Sequence, residues 1–195
     1  MFMVGPWARS TLGWSCLALV VGGLLTLPAC GVLPDRPHGA VTYDLREPPS
    51  RADVHMPAGE KTVLDEAEQN FPVTLLLPEG RRLETKVGVV SFDSYATGTR
   101  ATTADPTGAD MHTARTSLED AAAVMATSLR QLGSSDAAAD RWVEQARPAS
   151  GSATVRSENV ETRLGYLTVR VQGRYNPLDR HASVWYGLYW GPGAA

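Results

Sequence analysis

Cysteine and lysine are nearly missing from this chain of 195 residues, which holds only Cys16, Cys30, Lys61 and Lys86 of those two kinds and no isoleucine at all. So few thiols exclude a disulfide-dense scaffold and a cysteine-rich zinc site. Charge of one sign is also lacking: 18 basic against 21 acidic side chains give a formal net charge of −3. General nucleic-acid binding relies on a basic surface that neutralises phosphates, so no nucleic-acid partner is expected. The apolar stretch Ser15 to Leu27 is interrupted by Gly22, Gly23 and Thr26 and stops at Pro28. A spanning helix needs about 20 predominantly apolar residues, so a permanent transmembrane anchor is not expected either. The chain has no Gly-x-Ser-x-Gly elbow, no His-Glu-x-x-His and no phosphate-binding glycine loop with lysine. The motif-borne hydrolase and nucleotide chemistries are thereby set aside.

What is present starts at the N-terminus. Arg9 is the only charged side chain before Asp35, and the short apolar stretch follows it, which is the layout of a signal peptide. Ordinary secretory cleavage wants small residues at both positions of an Ala-x-Ala-like pattern, and Leu27 fits the first of them badly. Leu27-Pro28-Ala29-Cys30 instead resembles the lipobox of bacterial lipoproteins, an aliphatic residue and two mostly small ones before a cysteine. Pro28 departs from the Ser, Thr, Ala or Val usual at its position.

The resemblance implies that residues 1–29 are a lipoprotein signal peptide. It implies too that Cys30 takes a diacylglycerol on its thiol, becomes the mature N-terminus, and holds the protein on the extracytoplasmic face of the cell membrane. One acyl chain binds only reversibly, at about 0.8 kcal/mol per buried methylene, whereas two hold stably. Cys16 would then be removed and Cys30 consumed, leaving no thiol for a disulfide. Arginine outnumbers lysine sixteen to two, and alanine and glycine are abundant, the bias of GC-rich codons. That points to a high-GC bacterium.

Residues 30–58 carry Pro34, Pro37, Pro48, Pro49 and Pro57 with few large apolar side chains, and read as a Pro-rich tether behind the lipidated cysteine. Val41-Thr-Tyr-Asp-Leu45 inside it has the composition of a short strand that can dock. Residues 59–195 then form one globular domain.

Along that domain, Thr62 with Asp65 and Glu66 in the following turn predicts a short helix over 63–70, ended by Pro72. Val73 to Leu77, the turn Pro78-Glu-Gly80 and the valine-rich stretch Leu83 to Phe92 predict a hairpin. Asp93 to His112 is polar and reads as a long loop. Thr116 and Glu119 make a capping box for a helix with Leu118, Ala122, Met125, Leu129 and Leu132 inward, stopped by Gly133. A second helix is expected after Ser135, with Ala138, Trp142, Val143 and Ala146 inward, ending before Pro148.

Strands resume at Ala153 to Val160, in Leu167 to Tyr175 where apolar and polar residues alternate, and in Ala182 to Trp190 behind the turn Asn176-Pro-Leu-Asp179. The sum is an α+β fold, an antiparallel sheet of about four to five strands with the helix pair packed on one face.

Three groups can carry chemistry. Asp105, Asp110 and His112 lie within eight residues, an oxygen and imidazole set that suits a divalent metal or acid–base hydrolysis, though the spacing is also that of an ordinary turn. Arg170 and Arg174 on the polar strand face, with Tyr166 and the nearby Arg180 and His181, suit an anionic ligand such as a headgroup or wall polymer. Trp185, Tyr186, Tyr189 and Trp190 must divide between two strand faces, which places Trp185 and Tyr189 together on one of them.

No cofactor is expected. The reading is a membrane-anchored cell-envelope lipoprotein, a non-catalytic binding or accessory module for an envelope ligand or partner. The alternative is a tethered extracytoplasmic hydrolase using the acids and histidine of the 93–112 loop.

Overall fold

The computed structural model describes residues 39–190, except for residues 61, 97–98 and 101–102; for 63–69, 95–96 and 99–100 only the backbone is described. Residues 1–29 and Cys30 therefore lie outside the described residues. The described part belongs to one compact unit, Pro37–Ala195.

The elements run β1 (Val41–Asp44), β2 (Thr62–Leu76), β3 (Arg82–Asp93), β4 (Tyr95–Ala96), β5 (Thr99–Arg100), β6 (Gly108–His112), α1 (Leu118–Leu132), α2 (Ala137–Ala146), β7 (Val155–Arg156), β8 (Val160–Leu164), β9 (Leu167–Asn176) and β10 (His181–Tyr189). Mixed α+β is thus correct, but the sheet is larger than expected, with eight strands among the described residues in the order β1-β2-β3-β6-β10-β9-β7 and β8 also on β9. Only β1 with β2 is parallel; the other pairs are antiparallel.

Four stretches of the chain depart from expectation, in each case because a distant partner outweighs the local signal. The helix expected over 63–70 is the first half of β2, because Thr62 to Glu66 pair with Val89 to Asp93 of a valine-rich strand. Tertiary pairing outweighs a cap signal of this size. In the stretch expected to be tether, Val41 to Leu45 docks as anticipated, with β1 on β2, but the chain beyond it also joins the domain, with Val54 and Met56 buried in the core beside Tyr43 and Leu45. The 93–112 loop contains a central strand, β6, held between β3 and β10. The strand expected at Ala153 to Val160 is two short ones, β7 and β8, on the same edge of β9.

The β2–β3 hairpin does not run straight. Its register shifts between Glu66 and Phe71, an irregularity of the kind that bends a strand. Pro72, which has no N–H to give, falls just past that shift and before β1 joins at Val73. Tyr43 meets Phe92 edge-on at 4.9 Å, and the Gly165 N–H donates to Glu79 Oε1 at 3.0 Å.

Helix α1 starts at Ser117, whose side chain accepts from the Asp120 N–H, one residue later than the expected capping box at Thr116. Gly133 stops it at φ +80°, a left-handed conformation that side chains with a Cβ resist. Leu118, Ala122, Met125, Leu129 and Leu132 are all buried, as their spacing predicts. Helix α1 packs on β3, β9 and β10, and α2 on α1, β7 and β9. Trp142 packs closely on Gly173, where a Cβ would come within 2.4 Å of the indole ring. Between the layers, the buried Tyr186 hydroxyl meets Ser128 Oγ at 2.9 Å and Thr85 Oγ1 at 3.1 Å. No buried side-chain polar atom among the described residues lacks a partner.

Candidate functional site

Alternation along β9 and β10 sorts most of their side chains, with Thr168 buried out of pattern. Leu167, Val169, Val171, Tyr175, Ala182, Val184, Tyr186 and Leu188 go into the core beneath the helices. Arg170, Gln172, Arg174, Ser183, Trp185 and Tyr189 go to the opposite face and are half-buried there. Register then adds β6 to that face, since Trp185 pairs with His112 and Gly187 with Asp110.

Two groups that are far apart in the sequence therefore meet. Arg170 lies over the Tyr189 ring at 5.1 Å, and Arg174 over the Trp185 ring at 5.0 Å. Both rings lean over Gly187, where a Cβ would sit 2.6 Å from the Tyr189 hydroxyl and 2.7 Å from the Trp185 ring. Glycine is what lets them lie flat. Trp185 Nε1 donates to Asp110 Oδ1 at 2.9 Å, which fixes the indole plane under Arg174.

The arginines differ in what holds them. Arg170 donates through Nε to Glu161 Oε2 at 2.8 Å, a cross-strand ion pair. Arg174 donates to Gln172 Oε1 at a longer 3.3 Å and takes part in none of the described ion pairs. Burial and the charge of Arg156 push its pKa down, though a guanidinium stays charged throughout the working pH range. A stacked, partly desolvated guanidinium with open N–H donors is a ready partner for an anion.

Burial raises the Asp110 carboxyl above the usual aspartate value, against the lowering effect of the Trp185 hydrogen bond. Burial and then the Arg174 charge lower His112, so its neutral imidazole is favoured.

The other expected site residues are used elsewhere. The exposed Asp105 accepts from the Arg51 backbone N–H at 3.0 Å and does not join Asp110 and His112. Among the described residues no group of three or more His, Cys, Asp or Glu is placed to hold a metal ion. Tyr166 donates its hydroxyl to the Leu45 carbonyl at 2.6 Å, and burial pushes its pKa to about 12, so it ties β1 to the β8–β9 turn. Arg180 takes φ 57° in the β9–β10 turn beside His181. Tyr186 and Trp190 belong to the core, with Trp190 Nε1 donating to the Pro106 carbonyl at 2.7 Å.

Sequence reasoning missed that Asp110 and His112 share a face with the arginines. The apolar Ala109 and Met111 alternating with them were the available signal for a strand. Missed as well were Arg115 and Arg156, which lie at the ends of their segments and stand out only once the strands are paired.

The fold and this face define a mixed α+β domain with an arginine–aromatic sheet face turned away from its helices. Comparison with protein-family models, curated proteins and solved structures gives no match. No helix among the described residues is long and apolar enough to cross a membrane.

Proposed function

We propose that this protein is a lipid-anchored, non-catalytic binding module of the cell envelope, and that the β6–β10–β9 face takes an anionic envelope ligand. The observation that carries the reading is the pair of side-by-side stacks, Arg170 on Tyr189 and Arg174 on Trp185, the second held by the Trp185 bond to Asp110. Holding two guanidiniums flat and half-buried restricts side chains that lose much rotamer freedom when ordered, and their reward is a rigid array of donors. Asp105, a member of the triad on which the hydrolase alternative was built, is turned to Arg51, which favours binding over hydrolysis. The lipobox resemblance of Leu27 to Cys30 supports the anchor and the extracytoplasmic location.

The test is co-sedimentation with anionic envelope particles, using the full chain with Cys30→Ala so that lipid does not carry it down. Arg170→Glu combined with Arg174→Glu is expected to reduce the bound fraction about tenfold or more. Undiminished sedimentation of that variant would overturn the reading.

A further inference from the structure

The face ends, beside the β9–β10 turn, in a recess of about 220 Å³ whose lining includes Arg115, Thr154, Arg174, Asn176, His181 and Ser183, with Asp179 the one carboxylate among them. Strand register explains why these residues meet. Ser183 pairs with Arg174, Arg174 pairs with Arg156, and Arg115 precedes the bridge between Thr116 and Ala182. Across four neighbouring segments the row reads Arg115, Ser183, Arg174, Arg156.

Three guanidiniums in one row repel one another, and two of them, Arg115 and Arg174, line the recess with one carboxylate, Asp179. Like charges directly opposite in an antiparallel pair are destabilising, and Arg156 is directly opposite Arg174. Asp179 reaches Arg115 only at 3.7 Å, and Arg115 remains 77% exposed. Neither Arg156 nor Arg174 takes part in any of the described ion pairs. The other lining groups add donors. Thr154 and Ser183 bring hydroxyls, and Asn176 uses its Oδ1 to accept from the Leu178 N–H at 3.0 Å, which leaves its NH₂ to offer.

We infer that this recess seats the phosphate group of the ligand whose remainder lies along the stacked arginine–aromatic face, an inference that rests on the binding reading above. One guanidinium fork satisfies a planar carboxylate. Donors converging from four chain segments suit the several oxygens of a tetrahedral anion. A recess of about 220 Å³ is roomy enough for a phosphate and the first atoms of its ester substituent. Arg174 belongs to both places. Its guanidinium lies on Trp185 and its side chain lines the recess, so it joins the seat to the face.

The experiment is calorimetric titration of the full chain in detergent with inorganic phosphate, glycerol 3-phosphate, short-chain phosphatidylglycerol and acetate. Phosphate compounds are expected to bind, and acetate to bind more weakly. Arg115→Gln and Arg174→Gln are each expected to weaken the phosphate compounds about tenfold, whereas Arg82→Gln, an exposed arginine at the start of β3 outside the recess and the arginine–aromatic face, leaves inorganic phosphate unchanged. Arg115 is exposed, so its variant keeps the fold, which a thermal melt checks. Binding of all three phosphates supports the seat with a free phosphate as sufficient ligand. Binding of phosphatidylglycerol alone, still lost in Arg115→Gln, supports the seat with a lipid headgroup as source.

No heat with any phosphate compound, or heat unaltered by both Gln variants, overturns the seat. Envelope co-sedimentation that still depends on Arg170 and Arg174 would in that case leave the face reading standing. Conversely, co-sedimentation indifferent to those residues removes the face reading whatever the titration shows.

Discussion

Asp110 shows how one side chain on the sheet is tuned by its surroundings. Burial raises its pKa above the ordinary value while the Trp185 N–H pulls the other way. A raised folded-state pKa means that folding favours the protonated form. The group's contribution is then greatest below the ordinary aspartate range and is lost as pH rises through the raised value. Asp110→Asn keeps an oxygen for Trp185 and removes the cost of the half-buried charge. The variant is therefore expected to exceed the native protein in stability at neutral pH, and to lose that advantage as pH falls into the carboxylate range. Urea unfolding at a series of pH values measures this, and an Asn variant that is weaker at neutral pH would show that the charge itself is needed. His112 works in the opposite sense: its lowered pKa withdraws stability as the solution is acidified and the imidazole protonates.

At the scale of elements, α1 is the best-specified piece of the molecule. Its inward residues, its stop at Gly133 and its N-terminal cap all follow local rules, and the cap sits at Ser117, one position past the expected one. Ser117 Oγ accepts from the Asp120 N–H at 3.1 Å, and Asp120 Oδ2 accepts from Ser117 Oγ at 2.8 Å. Ser117→Ala is expected to cost about 1 kcal/mol, whereas Thr116→Ala costs less, because no described bond from Thr116 caps the helix. Thermal unfolding of the two variants checks which residue is the cap. Strand β2 is the opposite case. Its first half carries helix-start chemistry, yet pairing with Val89 and Val90 makes it a strand. Thr62 caps no helix there; its hydroxyl donates across the strand pair to Asp93 Oδ1 at 2.6 Å.

At the scale of the whole molecule, the N-terminal segment and the domain make separate claims. The lipobox resemblance predicts that membrane-fraction protein has Cys30 as its first residue and carries acyl mass, and that Cys30→Ala loses it. Intact mass spectrometry reads both, and an unmodified Cys30 would free that thiol and withdraw the membrane address. The domain meanwhile takes in residues once expected to be tether. Tyr43, Leu45, Val54 and Met56 are buried, and Arg51 donates to the Ala104, Pro57 and Glu60 carbonyls. Prolines Pro48 and Pro49 made this stretch look like a linker, but scattered large apolar residues were enough to fold it onto the core.

The sequence by itself determined whatever depends on near neighbours. It set the mixed α+β class, the two helices with their buried stripes, the hairpin about Pro78 to Gly80, and the division of β9 into an apolar and an arginine-bearing face. Helix periodicity, turn residues and strand alternation act over a few residues, so they are legible without knowing the fold. Only the tertiary structure decided which strands lie side by side. Asp110 under Trp185, 75 residues apart, and Arg115 in one row with Arg174 and Arg156 are products of strand register. Register is settled by the fit of whole buried faces, which no local pattern encodes.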